Sequence, residues 1–352
     1  MVTDFCTYFD VGYLPRALAL HESLRKHAPG SRLHAVCMDD ESFETLTRLA
    51  VPDLLPIRRS DFEVGDTALV ATQAARTVVE YYFTCTPSIV LYVLKKQPSI
   101  DVLYYVDADM FFFSSASAMF EDMGGDSVYI VEHGFPETNK SLERFGRFNV
   151  GILGFRNDAI AKKCLLKWRE DCIEWCFDRE EDGRFADQKY LDRWPENCER
   201  LKIARHPGVN VAPWNRENYC LSKAEGWPTV DGMPIVCFHF QGLRVYEHGV
   251  IELQAIDYGA ALPLDWLNKV YAPYLSILRA AEEICCLQSR SLRIVKEPSL
   301  KILWRSRRRI AYVAQLGGGV LRLKGLFLCA FLTCMFLKRL SHGAPQPKVI
   351  GS

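Results

Sequence analysis

Val102-Leu103-Tyr104-Tyr105-Val106-Asp107-Ala108-Asp109-Met110-Phe111-Phe112-Phe113 is the stretch that decides the fold. Tyr, Val and Phe at this density predict a buried strand. Asp107 and Asp109 sit at the end of its apolar run, where an unpaired carboxylate is costly. In α/β sheets, ligands bind at the carboxyl ends of strands. Two acids spaced i and i+2 can turn toward one hard cation and a diphosphate. The plain alternative is a solvated loop pair, and the apolar sequence on both sides argues against it.

Outward from this strand, the pattern alternates. Thr3 to Phe9 predicts a first strand, and Tyr13 to His27 a helix ended by Pro29-Gly30. Leu33 to Met38 predicts a strand, Glu41 to Ala50 a helix and Leu54 to Arg58 a short strand. Thr67 to Lys96 predicts a helix broken near Pro87. This alternation argues for α/β architecture, with a mostly parallel central sheet flanked by helices. Downstream, Ser127 to Glu132 and Arg147 to Phe155 read as strands, the second holding Gly151 and Gly154. Glycine inside a strand often marks the close approach of a backbone or ligand. Asp158 to Phe177 predicts a helix, and Ala186 to Trp194 a short one closed by Pro195. Ile235 to Phe240 is a last strand, delivering His239. A catalytic body over 1–260 and a helical, basic extension over 261–352 follow from this pattern.

The 352 residues, 49% hydrophobic and 24% charged, suffice for a large core and argue against disorder, collagen and coiled coil. Net charge is zero but unevenly placed. All 43 acids fall before Pro298, against 33 of the 43 Lys and Arg, so the body carries −10 and the tail +10. Such a tail suits an anionic partner. Leu264 to Leu287 predicts an amphipathic helix. Gly325 to Leu337 is uncharged between Lys324 and Lys338-Arg339, too short for a span of about twenty residues. It suits a buried or membrane-surface helix, within a region 298–340 suited to an anionic membrane surface, or a helix packed on the body. Thirteen scattered cysteines without a C-x-x-C pair, and no secretory signal, fit reduced thiols in a cytoplasmic protein, peripheral at most on the membrane's inner face. Cys172 and Cys176 read as core packing rather than zinc ligands.

With these motifs in place, residues 3 to 245 resemble nucleotide-sugar glycosyltransferases of the GT-A fold, and glycosyltransferase family 8 most. The resemblance implies a divalent metal, Mn²⁺ or Mg²⁺, on Asp107, Asp109 and His239. The last belongs to His239-Phe240-Gln241-Gly242, which matches the family's H-x-x-G. The family's phosphate-contacting Lys is Val245 here, with Arg244 beside it as the available cation. The resemblance also implies donor contacts from Tyr8, Asp10, Tyr13, Arg76, Asn149, Trp214, Asn215 and Gly242. Asp10 reads equally as a helix N-cap. Asp187 and Gln188 match the family's D-Q, where the Asp contacts sugar hydroxyls and the Gln sits near the anomeric carbon; the alternative is that both cap and solvate a helix. What is implied is a UDP-linked or similar donor, a glycan or lipid-linked acceptor hydroxyl, and retention of configuration. Surface polysaccharide or glycolipid assembly is a natural setting. The rivals are a D-x-D phosphatase, whose nucleophile belongs on the first strand, and a non-catalytic membrane-associated nucleotide-sugar or carbohydrate-binding protein. Nucleic acid is not expected, because aromatic stacking motifs are lacking.

Overall fold

A computed structural model describes residues 3–245, 250–253, 258, 262–288, 311–316 and 319–323. Two compact units divide the chain: Met1–Gln241 with Lys269–Arg293, and Gly242–Asn268 with Ile294–Ser352.

The first unit is α/β. Its strands are β1 (Thr3–Phe9), β2 (Leu33–Cys37), β3 (Leu54–Arg58), β4 (Val102–Val106), β5 (Met110–Phe112), β6 (Val128–Glu132), β7 (Phe148–Arg156) and β8 (Leu201–Ile203). Seven of them form one sheet in the order β3-β2-β1-β4-β7-β6-β8. Every pairing is parallel except those of β7 with β4 and β6. The mostly parallel sheet expected from the alternation is therefore present.

The core lies on both faces of the sheet, as alternation along the strands requires. Phe5 and Tyr104 join one layer with Leu20, and Cys6 and Tyr105 join the other with Val93 and Trp168. Cys172 and Cys176 are fully buried in that second layer, which bears out their reading as core. The eleven described cysteines are all free.

Chain order reverses between β1 and β4, the switch point where α/β sheets open a crevice. Asp10 follows the end of β1, and Asp107 follows the end of β4. The apolar run 102–113 is two strands, not one. Asp107 to Asp109 turn the chain between them, with Met110 N–H donating to Asp107 O at 3.0 Å. β5 then leaves the main sheet. Three short strands follow, β9 (Leu221–Ala224), β10 (Trp227–Val230) and β11 (Met233–Pro234), and then β12 (Cys237–His239) pairs antiparallel with β5.

Two local expectations are corrected. The Val78–Lys96 helix runs through Pro87, and the break falls earlier, at the 3-10 turn Thr72–Ala75. Burial of Thr84 through Val90 holds the helix across the missing N–H. Pro195 does not close a helix; it sits in the first turn of Trp194–Asn197, where no N–H is needed.

The helix expected at Leu264 to Leu287 appears as Leu264–Trp266 and Ala272–Gln288. The latter belongs to the first unit and packs along the Leu14–His27 helix. In the second unit, β13 (Arg244–Val245), β14 (Val250–Leu253), β15 (Ala311–Leu316) and β16 (Gly319–Leu323) form an antiparallel sheet in that order. The extension read as helical therefore holds two strands. Gly317-Gly318 between them is a tight-hairpin signal that outweighs the helical reading. The apolar segment 325–337 and most of the basic tail lie outside the described residues. No helix among the described residues is long and apolar enough to cross a membrane.

Candidate active site

The site is built by two register facts. β12 pairs with β5 so that His239 stands opposite Met110, the residue after Asp109. Phe240 N–H donates to Asp109 O at 2.9 Å, which locks that register. On the other side, Asp107 N–H donates to Gly151 O at 3.0 Å, tying the turn to β7. Asp107, Asp109 and His239 thus converge, with one possible ligand atom from each lying within 4.8 Å of the others. His239 Nε2 is 3.1 Å from Asp109 Oδ1 and 3.6 Å from Asp107 Oδ2.

Burial makes this charge arrangement demanding. It pushes Asp107 above its ordinary value, against the pull of the His239 charge. Burial also opposes ionised Asp109, but His239's charge and hydrogen bond outweigh it and hold Asp109 low. His239 is raised, because the carboxylates overcome its own burial. The two carboxylates call for a cation, and they favour the charged form of the His239 ring. Two carboxylate oxygens and an imidazole nitrogen also form a donor set suited to a divalent ion such as Mn²⁺. The other ring nitrogen, Nδ1, is buried with no hydrogen-bond partner.

Gly151 explains the glycine inside β7. A Cβ there would stand 2.8 Å from His239 Cε1 and Nδ1, and 2.5 Å from Asn149 Oδ1. Only hydrogen leaves space for the ring. Gly154 does the same for Tyr104, which would lie 2.7 Å from such a Cβ.

Around the trio, the predicted residues divide. Asp187 is 5% exposed, and Thr86 Oγ1 donates to its Oδ2 at 2.9 Å. It stands at the N-cap of the 3-10 helix Gln188–Arg193, with no side-chain cap bond to that helix. Burial first, and then the Asp107 charge, raise it from 3.8 to about 7, against the Thr86 bond. Ala186 before it adopts a left-handed φ of 45°. Gln188 Nε2 donates to Phe145 O at 3.0 Å. Tyr13 is 43% exposed, and the Asp109 charge foremost raises its hydroxyl. Arg16 lies over its ring at 4.6 Å. Asp10 is an N-cap, its Oδ1 accepting from Gly12 N–H at 3.0 Å. Burial and neighbouring Asp39 raise it.

Other predicted contacts are turned inward. Tyr8 places its hydroxyl 3.3 Å from Thr86 Oγ1. Asn149 accepts from Gly151 N–H at 3.1 Å, with Nδ2 3.2 Å from His133 Nε2. Trp214 is 2% exposed, donates to His133 O and meets the His239 ring edge-on at 5.1 Å. Asn215 holds its loop through Ala212 N–H, Asn210 O and His133 O. Arg76 donates to Thr84 Oγ1 and to Ile173 O. Gly242, at φ 69°, and Arg244, in β13, belong to the second unit.

Sequence reasoning passed over Tyr105, whose hydroxyl donates to Asp107 Oδ1 at 2.7 Å, although it stands two residues before the acid. It also passed over Thr86 and Tyr274. Tyr274 stacks on Phe240 at 3.8 Å and meets Phe111 at 5.4 Å, bringing the Ala272–Gln288 helix against the β5–β12 layer. Nothing in the spacing of these residues marks them.

No protein-family model matches the chain. Among curated proteins it is similar to two from Bacillus subtilis (strain 168). The uncharacterized protein YfnD is 28% identical over 287 residues, 80% of this chain and 90% of the relative. The uncharacterized protein YfnF is 29% identical over 281 residues, 77% and 91% of the two. Among solved structures, the galactosyltransferase LgtC in complex with donor and acceptor sugar analogs matches at a TM-score of 0.44 and 15% identity, over 76% of this chain and all of that one. The apo glycosyltransferase GlyE of Streptococcus pneumoniae TIGR4 gives 0.45 and 13%, over 83% and 66%. Mouse xyloside xylosyltransferase 1 gives 0.43 and 12%, over 69% and 98%. At TM-scores below 0.5, function is to be read from this chain's own residues.

Proposed function

We propose that this chain is a glycosyltransferase that moves a sugar from a nucleoside diphosphate donor, UDP-linked in the first instance, to an acceptor hydroxyl. The convergence of Asp107, Asp109 and His239 at the switch point, with buried Asp187 close enough to feel the Asp107 charge, carries this reading. Their donor set fits a divalent ion, Mn²⁺ or Mg²⁺. When bound, such an ion supplies positive charge to the departing diphosphate.

The chain's own groups do the rest. Asp187 orients sugar hydroxyls. Gln188, its amide nitrogen committed to Phe145 O, presents the remaining carbonyl oxygen to positive charge growing at the anomeric carbon. Tyr13 and Asp10, beside the switch point, contact the nucleoside. In a retaining transfer, the bond from the anomeric carbon to phosphate oxygen breaks. The acceptor oxygen bonds on the same face, and its proton passes to the leaving phosphate. Product anomer analysis by NMR checks this, and an inverted product contradicts it. The acceptor is a glycan or a lipid-linked glycan, reached by a 1–260 catalytic body held at an anionic cytoplasmic membrane face by the basic tail. Co-sedimentation of the full chain with anionic, but not neutral, vesicles is the expected result.

Titration of a nucleotide-sugar panel against the protein with Mn²⁺ tests the donor class. Saturable binding of one donor and release of its nucleoside diphosphate are expected. Binding without turnover, even with acceptors supplied, would favour a sugar-nucleotide-binding protein; no binding would contradict the reading.

A further inference from the structure

We propose that Thr86, backed by Tyr8, is a positioning residue that holds the Asp187 carboxyl for sugar transfer; the inference rests on the glycosyltransferase reading. Thr86 lies in the Val78–Lys96 helix, one residue before Pro87, and is fully buried. A helical threonine usually returns its hydroxyl to the carbonyl four residues back. Thr84 does this, donating to Glu80 O at 2.7 Å. Thr86 instead donates across 101 residues to Asp187 Oδ2, at 2.9 Å. A threonine hydroxyl has one proton. With that proton on Asp187, the Tyr8 hydroxyl, 3.3 Å away, donates into Thr86. Direction is thereby fixed from β1, through the helix, to the carboxyl.

The other titratable groups that face Asp187 do not hold it. Asp107 repels it, and the Tyr105 hydroxyl and the Cys172 thiol are pushed up by burial first and by its charge only in small part. Trp168 Nε1 donates to the Asp187 backbone oxygen at 2.9 Å, which fixes the main chain, and the backbone N–H groups of Asp187 and Gln188 join Thr86 in favouring the ionised carboxyl. Strand, helix and loop thus meet at one hydroxyl, and a carboxyl aimed by it stays on one rotamer as the donor sugar arrives.

The test compares full-length wild type with Thr86→Val, Thr86→Ser and Tyr8→Phe, reading kcat, donor KM and melting temperature. Thr86→Val is expected to lower kcat about ten- to a hundredfold, the worth of a hydrogen bond to a charged group, with donor KM changed far less. Thr86→Ser should recover most of the loss. Tyr8→Phe should lose less, and Tyr8→Phe with Thr86→Val should be no slower than Thr86→Val alone. Full kcat in Thr86→Val, no rescue by serine, or additive losses in the double variant would each overturn the role. A wild type inert toward every donor would instead bring down the glycosyltransferase reading, and this role with it.

Discussion

At Gly151, one hydrogen atom decides whether the site exists. A methyl group there would enter the space of His239 and of Asn149, and both are walled in by Trp214 and His133. Gly151→Ala should therefore displace the imidazole and weaken Mn²⁺ binding at least tenfold, the usual scale for disturbing a ligand's support. Calorimetric titration with Mn²⁺ checks this, and unchanged affinity would mean that the ring does not ligate. Asp187 makes a second prediction. Its folded value near 7 stands above the 3.8 of a free carboxyl. The folded state therefore binds the proton more tightly than the unfolded state between those values. Raising the pH through that window costs stability. In metal-free protein, Asp187→Asn should gain on wild type in melting temperature between pH 4 and 7, and parallel curves would contradict the shift. Sequence showed Asp187-Gln188 and the two glycines as motifs. It did not show which atoms they face, because that depends on strands and a helix far apart in the chain.

Among the elements, β5 and β12 matter most. They form a two-stranded layer off the main sheet, and their register alone brings His239 to the acids. The spacing of Asp-x-Asp and H-x-x-G was legible, as was the strand delivering each. The split of the apolar run was not, since Met110 to Phe112 continue the same apolar pattern. The loop around Asn215 supports this layer from behind. It was read as a donor contact, yet its amide makes three internal bonds. Asn215→Ala should cost about 2–4 kcal/mol, as buried backbone groups lose their partners. Urea unfolding checks this, and unchanged stability would contradict it. The Pro87 misreading has a similar origin. Local propensity marks a break, but ten buried residues between Tyr81 and Leu94 hold the helix.

At the scale of the whole molecule, the α/β sheet came directly from the alternation of apolar strands and helices. The paired strands Ala311–Leu316 and Gly319–Leu323 did not, because the basic, apolar composition around them suits a surface helix equally well. The acids of the body gather two carboxylates at a crevice whose charge favours a cation. Mn²⁺ should thus stabilise the native state by mass action, by about 2.7 kcal/mol at a hundred times its Kd. Melting with and without metal reads this out, and Asp109→Ala should abolish the gain.

The most direct test is nucleoside diphosphate release from a nucleotide-sugar panel with candidate acceptors, in Mn²⁺ and in chelator, by wild type and Asp109→Ala. The account predicts release from one donor that needs metal and is lost in the variant. Release that survives chelation or Asp109→Ala, or no release from any donor, would contradict it.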